Sequence, residues 1–280
     1  MNTGIDISII IPYYNAGLYI QEAIDSVRMY KGEYSYEIII INDGSTDPDS
    51  IKKIKLIEQD GLCTVLNQEN RGPAAARNAG CKIARGQFLL FLDSDNKIRP
   101  NYIGVGINYM LQNSKTGVVY GNPHFLENEK DKRQFKAAAF DYKKMLGSNY
   151  IDICSVVRKS AWSSIDGFDE NRLLDGLEDW DFWLRLTKKG WLFEYVDEVL
   201  YEYRVLENSL AHAHVTFPDK HLDAVKNIIS KHITDLHFFY NQLLKSNQHL
   251  EMLYRYERSH SLKGFVRKIL CLVGFRKSEF

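Results

Sequence analysis

Three apolar runs constrain this chain more than any other feature: ISIIIPYYN ending at Asn15, YEIIIINDG ending at Gly44, and QFLLFLDSD ending at Asp95. Each run is continuous, not alternating, which is how strands covered on both faces of a parallel sheet read. Between them lie segments of helical period. GLYIQEAIDSVRMY sets Ile20, Ala23, Ile24 and Val27 on one face, and PAAARNAGCKIARG gives a small-residue helix through Ala76, Ala79, Cys81, Ile83 and Ala84. The order β-α-β-α-β predicts an α/β fold built on a mostly parallel sheet flanked by helices. In such sheets ligands bind beyond the carboxyl ends of the strands. The three runs end in Tyr13-Tyr14-Asn15, Asn42-Asp43-Gly44 and Asp93-Ser94-Asp95, so these groups are expected to converge on one site.

The second half is less regular. VVYGNPHF (118–125) and SVVRKSAW (155–162) read as strands, DGLEDWDFWLRLTKKGW (175–191) as a helix with acidic residues in its first turn, and WLFEYVDEVLYEYR (191–204) as a strand pair. Beyond Pro218, Leu222, Val225, Ile229, Ile233, Leu236, Tyr240 and Leu243 recur at spacings of three and four, which predicts a long amphipathic helix. The expected division is a catalytic domain over 1–215 and a helical C-terminal extension over 216–280. The helix over 218–258 offers a surface for a homodimer.

Composition narrows the partners. With 36 basic and 36 acidic residues there is no global field to recruit nucleic acid, so any charge argument is local. Cys63, Cys81, Cys154 and Cys271 are scattered without zinc or disulfide spacing, and reduced thiols in a cytoplasmic protein are expected. No apolar stretch approaches the length of about 20 residues that spans a bilayer. The tail over 262–277 is basic and amphipathic, with Lys263, Arg267, Lys268, Arg276 and Lys277 among Phe265, Ile269, Leu272 and Phe275. Peripheral contact with an anionic membrane surface at its inner face and packing on protein fit this tail equally.

The chemistry centres on Asp93 and Asp95. Two carboxylates one residue apart at the end of an apolar strand repel, and a hard divalent cation shared with phosphate oxygens relieves that repulsion. On spacing alone, a plain strand-to-turn transition explains them as well. No GxxxxGK[ST] or GxGxxG loop is present, so neither a P-loop nor a dinucleotide fingerprint supplies the phosphate site.

SIIIPYYN, IIINDGSTD, NRGPAAARNAG, GQFLLFLDSDN and GLEDWDFWLRL, in that order, resemble a family-2 glycosyltransferase of GT-A fold over roughly residues 6–210. The resemblance implies an inverting enzyme that uses a nucleotide-diphosphate sugar with Mg²⁺ or Mn²⁺. It implies that Pro12 and Tyr14 line the base pocket and that Asp43 accepts a hydrogen bond from the base. Asn70 and Arg77 would face the nucleotide, Asp93 and Ser94 the ribose or donor sugar, and Asp95, with Asp93, the metal. Asp179 would be the base that takes the acceptor proton, with Glu178 next in line and Glu178 and Asp181 supporting or binding the acceptor. Trp180 and Trp183 are expected in the core.

Two positions depart from the family pattern. Asn96 stands where many relatives carry another aspartate, and YRVLENS has Leu206 where a histidine is common, leaving Arg204 as the diphosphate ligand and His212 or His214 as substitutes. The reading is therefore transfer of a sugar, a UDP-sugar favoured, to a glycan or lipid-linked glycan in bacterial surface polysaccharide synthesis. The alternatives are a sugar-nucleotide pyrophosphorylase, whose glycine-rich basic loop is missing after the first strand, and a non-catalytic nucleotide-sugar or carbohydrate-binding protein of the same fold. A phosphohydrolase would carry its nucleophilic aspartate on the first strand.

Overall fold

The computed structural model describes residues 4–126, 137–206 and 218–238. The N-terminal half alternates β1 (Ile7–Tyr13), α1 (Ile20–Arg28), β2 (Tyr36–Asp43), α2 (Pro48–Asp60), β3 (Thr64–Gln68), α3 (Pro73–Ile83) and β4 (Phe88–Phe91). The pair α2 and β3 corrects the simpler β-α-β-α-β expectation by one whole unit. Both elements are mostly solvent-facing: only Ser50, Ile54 and Ile57 of α2 are buried, and β3 is an edge strand, so neither needs an apolar run. Local signals do mark α2, with Asp47 capping it through Ser50 N at 2.8 Å, Pro48 opening it and Gly61 ending it at φ 64°.

The second half adds β5 (Lys97–Ile98), α4 (Tyr102–Gln112), β6 (Thr116–Leu126), α5 (Tyr142–Gly147), β7 (Val156–Arg158), α6 (Lys159–Ser163), α7 (Glu178–Lys188), β8 (Leu192–Arg204) and α8 (Pro218–Lys231). The strand expected over 155–162 is thus three residues long and turns straight into a helix. The expected strand pair over 191–204 is one strand, β8, whose pairing with β6 carries register shifts in place of a turn.

The eight strands lie in the order β3-β2-β1-β4-β7-β6-β8-β5. From β3 to β4 neighbours are parallel, whereas β7 pairs antiparallel with both β4 and β6. The parallel half is buried on both faces, as its continuous apolar runs require. Ile7, Ile9, Ile11, Ile38 and Ile40 pack with α1 and α4, while Ile10, Ile39 and Ile41 pack toward α3 and α7. Helix α3 comes so close that a Cβ on Gly80 would lie 2.6 Å from Ile41 Cδ1 and 2.7 Å from Ile10 Cγ2. Glycine there is a packing requirement.

Trp180 and Trp183 are core residues, as expected, and their indole N–H groups donate to Met145 O at 2.6 Å and Ile151 O at 3.0 Å. Helix α8 joins the same core through Ile228 and Ile229, followed after a turn at His232 by Leu236. The expected domain boundary at 215/216, the remainder of the 218–258 helix and the basic tail lie outside the described residues. Among the described residues no helix is long and apolar enough to cross a membrane.

Candidate active site

The strand order brings β2, β1 and β4 side by side, so the three polar ends meet as topology demanded. Pro12 is half-buried in register with Ile41, and Tyr14 follows with 49% of its surface exposed, its ring open to solvent at the end of β1. Asn15, held at φ 51°, accepts from Thr46 N at 2.8 Å and Asp47 N at 2.9 Å and so fastens the end of β1 to the loop after β2.

Asp43 ends β2 buried, and its carboxylate accepts from Gln68 Nε2 at 2.7 Å, Arg71 N at 2.8 Å and Gly72 N at 2.9 Å. Three donors leave about one of its four lone-pair sites open, so the expected contact with a base shares this carboxylate with a structural task. It holds the loop that launches α3. Gly72 at φ 88° lets that loop turn under Arg172 and Asp175. Asn70 is exposed, and its Oδ1 accepts from Arg172 Nη1 at 2.8 Å.

Arg77 departs from its expected role. It is 3% exposed, donates through Nη2 to Asp93 Oδ1 at 2.7 Å and through Nη1 to Glu178 Oε1 at 2.5 Å, and leaves Nε without a partner. Burial works against its charge, but Asp93 and Glu178 outweigh burial and hold its pKa above the ordinary value. The guanidinium is therefore a clamp between the end of β4 and the start of α7. Its planar fork suits two carboxylates at once.

Glu178 is closed on both sides, because its Oε2 accepts from Gly176 N at 2.5 Å while Oε1 meets Arg77. A carboxylate so occupied is poorly placed to take a proton from an acceptor. Asp179 is held differently, by Trp180 N at 2.7 Å on one oxygen and Asn149 Nδ2 at 2.8 Å on the other. Burial first, then Glu178 and Asp152, push its carboxyl well above the usual carboxylate range. A raised carboxyl beside an open face is the profile of a general base.

Asp181, expected to support or bind acceptor, points elsewhere. It is 0% exposed and pairs with Arg185 Nε at 2.7 Å and Lys231 Nζ at 3.3 Å, on the α8 side of α7.

Beyond β4, Asp93, Ser94 and Asp95 are all partly exposed. Burial and the neighbouring Asp93 carboxylate push Asp95 up to about 7. Arg204, expected on the diphosphate, is instead committed to this loop: its Nε donates to Asp95 O at 3.1 Å, its Nη2 to Glu22 Oε2 at 2.9 Å, and its guanidinium lies 4.4 Å from the Tyr19 ring centroid. The Asn96 side chain is spent the same way, accepting from Arg204 N at 2.8 Å. This bond fixes β8 to the Asp95 loop. Leu206 is half-buried, and His212 and His214 lie outside the described residues.

Asn149 and Asp152 escaped the motifs. Asp152, in the loop before β7, is pushed up to about 7 by burial and by Asp93, against the pull of Cys154 N and Arg77. No cluster of three or more His, Cys, Asp or Glu side chains arranged to hold a metal occurs among the described residues. The donor set still fits a hard cation, since Asp93 and Asp95 are oxygen ligands whose mutual repulsion calls for positive charge. Two carboxylates with water and phosphate oxygens are an ordinary Mg²⁺ shell.

The family model for Glycosyl transferase family 2 matches residues 8–169. The chain belongs to glycosyltransferase family 2. An uncharacterized glycosyltransferase of Haemophilus influenzae is 37% identical over 155 residues, covering 54% of this chain and 61% of that protein. The putative glycosyltransferase EpsH of Bacillus subtilis is 29% identical over 218 residues, covering 73% of this chain and 62% of that one. The chain spans only 30% of a Rickettsia felis relative.

Among solved structures, S. aureus TarS 1-349 in complex with UDP-GlcNAc aligns at TM-score 0.59 and 22% identity, over 73% of this chain and 60% of that one. The mannosyltransferase PcManGT from Pyrobaculum calidifontis, in complex with GDP-Man and Mn²⁺, aligns at 0.59 and 15% identity, over 83% and 65%. The fold of this family-2 chain is GT-A.

Proposed function

We propose that the protein is an inverting glycosyltransferase that moves a sugar from a nucleotide-diphosphate sugar, a UDP-sugar favoured, to a hydroxyl of a glycan or lipid-linked glycan. Surface polysaccharide synthesis is the proposed setting, and a chondroitin synthase of Pasteurella multocida, 27% identical over 202 residues that make up 20% of that protein, is a relative that makes a polysaccharide. The observation that carries the reading is the Arg77 bridge, which ties the carboxylates at the end of β4 to the acidic start of α7. A metal-side carboxylate pair and a base are thereby built into one rigid unit.

In this mechanism Tyr14 offers a stacking face to the base of the donor, and Asp43 retains a lone pair for it. Asp93 and Asp95 would hold the divalent cation, which when bound supplies Lewis-acid stabilisation of the departing diphosphate. Asp179 accepts the proton of the acceptor hydroxyl as that oxygen attacks the anomeric carbon from the face opposite the leaving group, which inverts the configuration. Trp180 N and Asn149 hold the carboxylate still while it does so.

A panel of UDP- and GDP-sugars, titrated with Mg²⁺ and Mn²⁺ and followed by thermal shift, tests this directly, because a ligand of the folded state raises its stability. Metal-dependent binding of one nucleotide class is expected, with Asp95→Ala losing it. Asp179→Asn is expected to bind the same donor and to lose about 10²- to 10⁴-fold in transfer. Unchanged metal-dependent binding by Asp95→Ala would sink the metal assignment, and full transfer by Asp179→Asn would sink the base.

A further inference from the structure

No motif points to Asn149. It lies in the loop between α5 and β7, half-buried, and its side chain makes two hydrogen bonds of opposite sense. Its Oδ1 accepts from Ile151 N at 3.1 Å, and its Nδ2 donates to Asp179 Oδ2 at 2.8 Å. The first bond fixes which end of the amide faces the backbone. The second follows from it, because the NH₂ end is then turned onto the carboxylate.

We propose that Asn149 is a positioning residue for the glycosyl transfer, orienting the Asp179 carboxylate and favouring the ionised form that can accept the acceptor proton. The proposal rests on the reading of Asp179 as the base. It goes beyond that reading by assigning the control of the base to a loop outside every motif.

The surroundings explain why the base needs such a partner. Glu178 from its own helix and Asp152 from the loop before β7 both oppose its charge, and burial opposes it most of all. Arg77 from α3 acts the other way, but its own hydrogen bonds go to Asp93 and Glu178. From β8, Tyr203 lies close enough to feel the Asp179 charge. Among the described residues Asn149 is the side chain that donates a hydrogen bond to Asp179. A donor to the charged form favours that form. With Trp180 N on one oxygen and Asn149 on the other, the plane of the carboxylate is fixed as well.

Carbon-13 carboxyl NMR of the full chain, without donor or acceptor, tests the proposal. The Asp179 resonance is identified by its absence in Asp179→Asn. Asn149→Ser keeps an oxygen able to accept from Ile151 N but is too short to reach Asp179. A hydrogen bond to a charged group is worth enough that its loss should raise the Asp179 midpoint by about one to two pH units. Asn149→Asp, which keeps the backbone acceptor and adds a like charge, should raise it further.

A midpoint that stays within about 0.3 pH units in Asn149→Ser overturns the proposal. Should that variant fail to fold, the wild-type chain still decides: the Asn149 side-chain NH₂ resonances must move with the Asp179 midpoint, and a flat response overturns it too. Full transfer by Asp179→Asn would instead overturn the base reading beneath it, whatever the titrations show.

Discussion

Helix α7 carries two kinds of buried carboxylate, and they are treated in opposite ways. On its α8 side, Asp181 meets Arg185 and Lys231, with His232 Nε2 3.7 Å away, and these partners overcome burial to hold its carboxyl well below the usual range. On its strand-end side, Glu178 and Asp179 join Asp93 and Asp152 around the buried Arg77, with Asp95 beside them and nearest to Arg204. There Asp95, Asp152 and Asp179 are all pushed upward. Compensated charge marks the structural side of the helix, and under-compensated charge marks the side where substrate charge is expected to arrive. Asp179 and Asp181 stand at i and i+2, and side chains so spaced on a helix do not share a face.

The comparison breaks most visibly at Arg77. Arg77→Met removes the cation that, among the described residues, pairs with both Asp93 and Glu178, and leaves the Glu178 carboxylate buried and the Asp93 carboxylate partly buried without it. A loss of about 3–5 kcal/mol is expected in urea unfolding at pH 7, the scale for breaking a buried ion pair from one side. A loss below about 1 kcal/mol, the level of an exposed pair, would show that water already reaches this clamp.

Asp181→Asn probes the compensated side, with an expected loss of about 3 kcal/mol at pH 7. The sign with pH follows from the lowered carboxyl. Its contribution is present above the ordinary unfolded carboxylate value, about 4, and fades as pH falls toward the lower folded value. The gap between Asp181→Asn and wild type should therefore narrow between about pH 4 and pH 2. A gap that does not change with pH would mean that Asp181 acts through shape and not through charge.

The same contrast explains what the sequence could disclose. The parallel half was legible because burial on both faces forces long apolar runs, and the polar ends of adjacent parallel strands must converge. Elements with little buried surface were not: α2 and β3 left only caps and a glycine as traces. The bend in β8 was hidden because a register shift, unlike a hairpin, needs no turn residues. At the site, Asp43, Asp93, Asp95 and Asp179 stood in motifs, but a motif names a residue without naming its neighbours. Arg77 and Arg204 looked like phosphate ligands by type, and only tertiary packing revealed them committed to Glu178, Asp93, Glu22 and the Asp95 carbonyl. Asp152 and Asn149 sit in an irregular loop where neither period nor motif singles out a position.

The sharpest use of the comparison is also its smallest effect. Asp179→Asn sits two residues before Asp181 on the same helix, and its effect on stability should have the opposite sign. A carboxyl raised in the folded chain binds its proton more tightly there than when unfolded, so its ionised form costs stability at every pH above the unfolded value of about 4. Asparagine removes that cost, although its single amide oxygen accepts from only one of the two donors, Trp180 N and Asn149 Nδ2, that the carboxylate satisfies. A gain in stability is expected at pH 8, and it should vanish below about pH 4 where the wild-type side chain is neutral in both states. Paired thermal melts of the metal-free chain at pH 8 and pH 4 measure it. On the proposed mechanism, a residue that destabilises its own fold when charged and is needed in that form for transfer is held for chemistry at the expense of stability. If Asp179→Asn instead destabilises as Asp181→Asn does, the two faces of α7 are alike and the division between structural and chemical carboxylates fails.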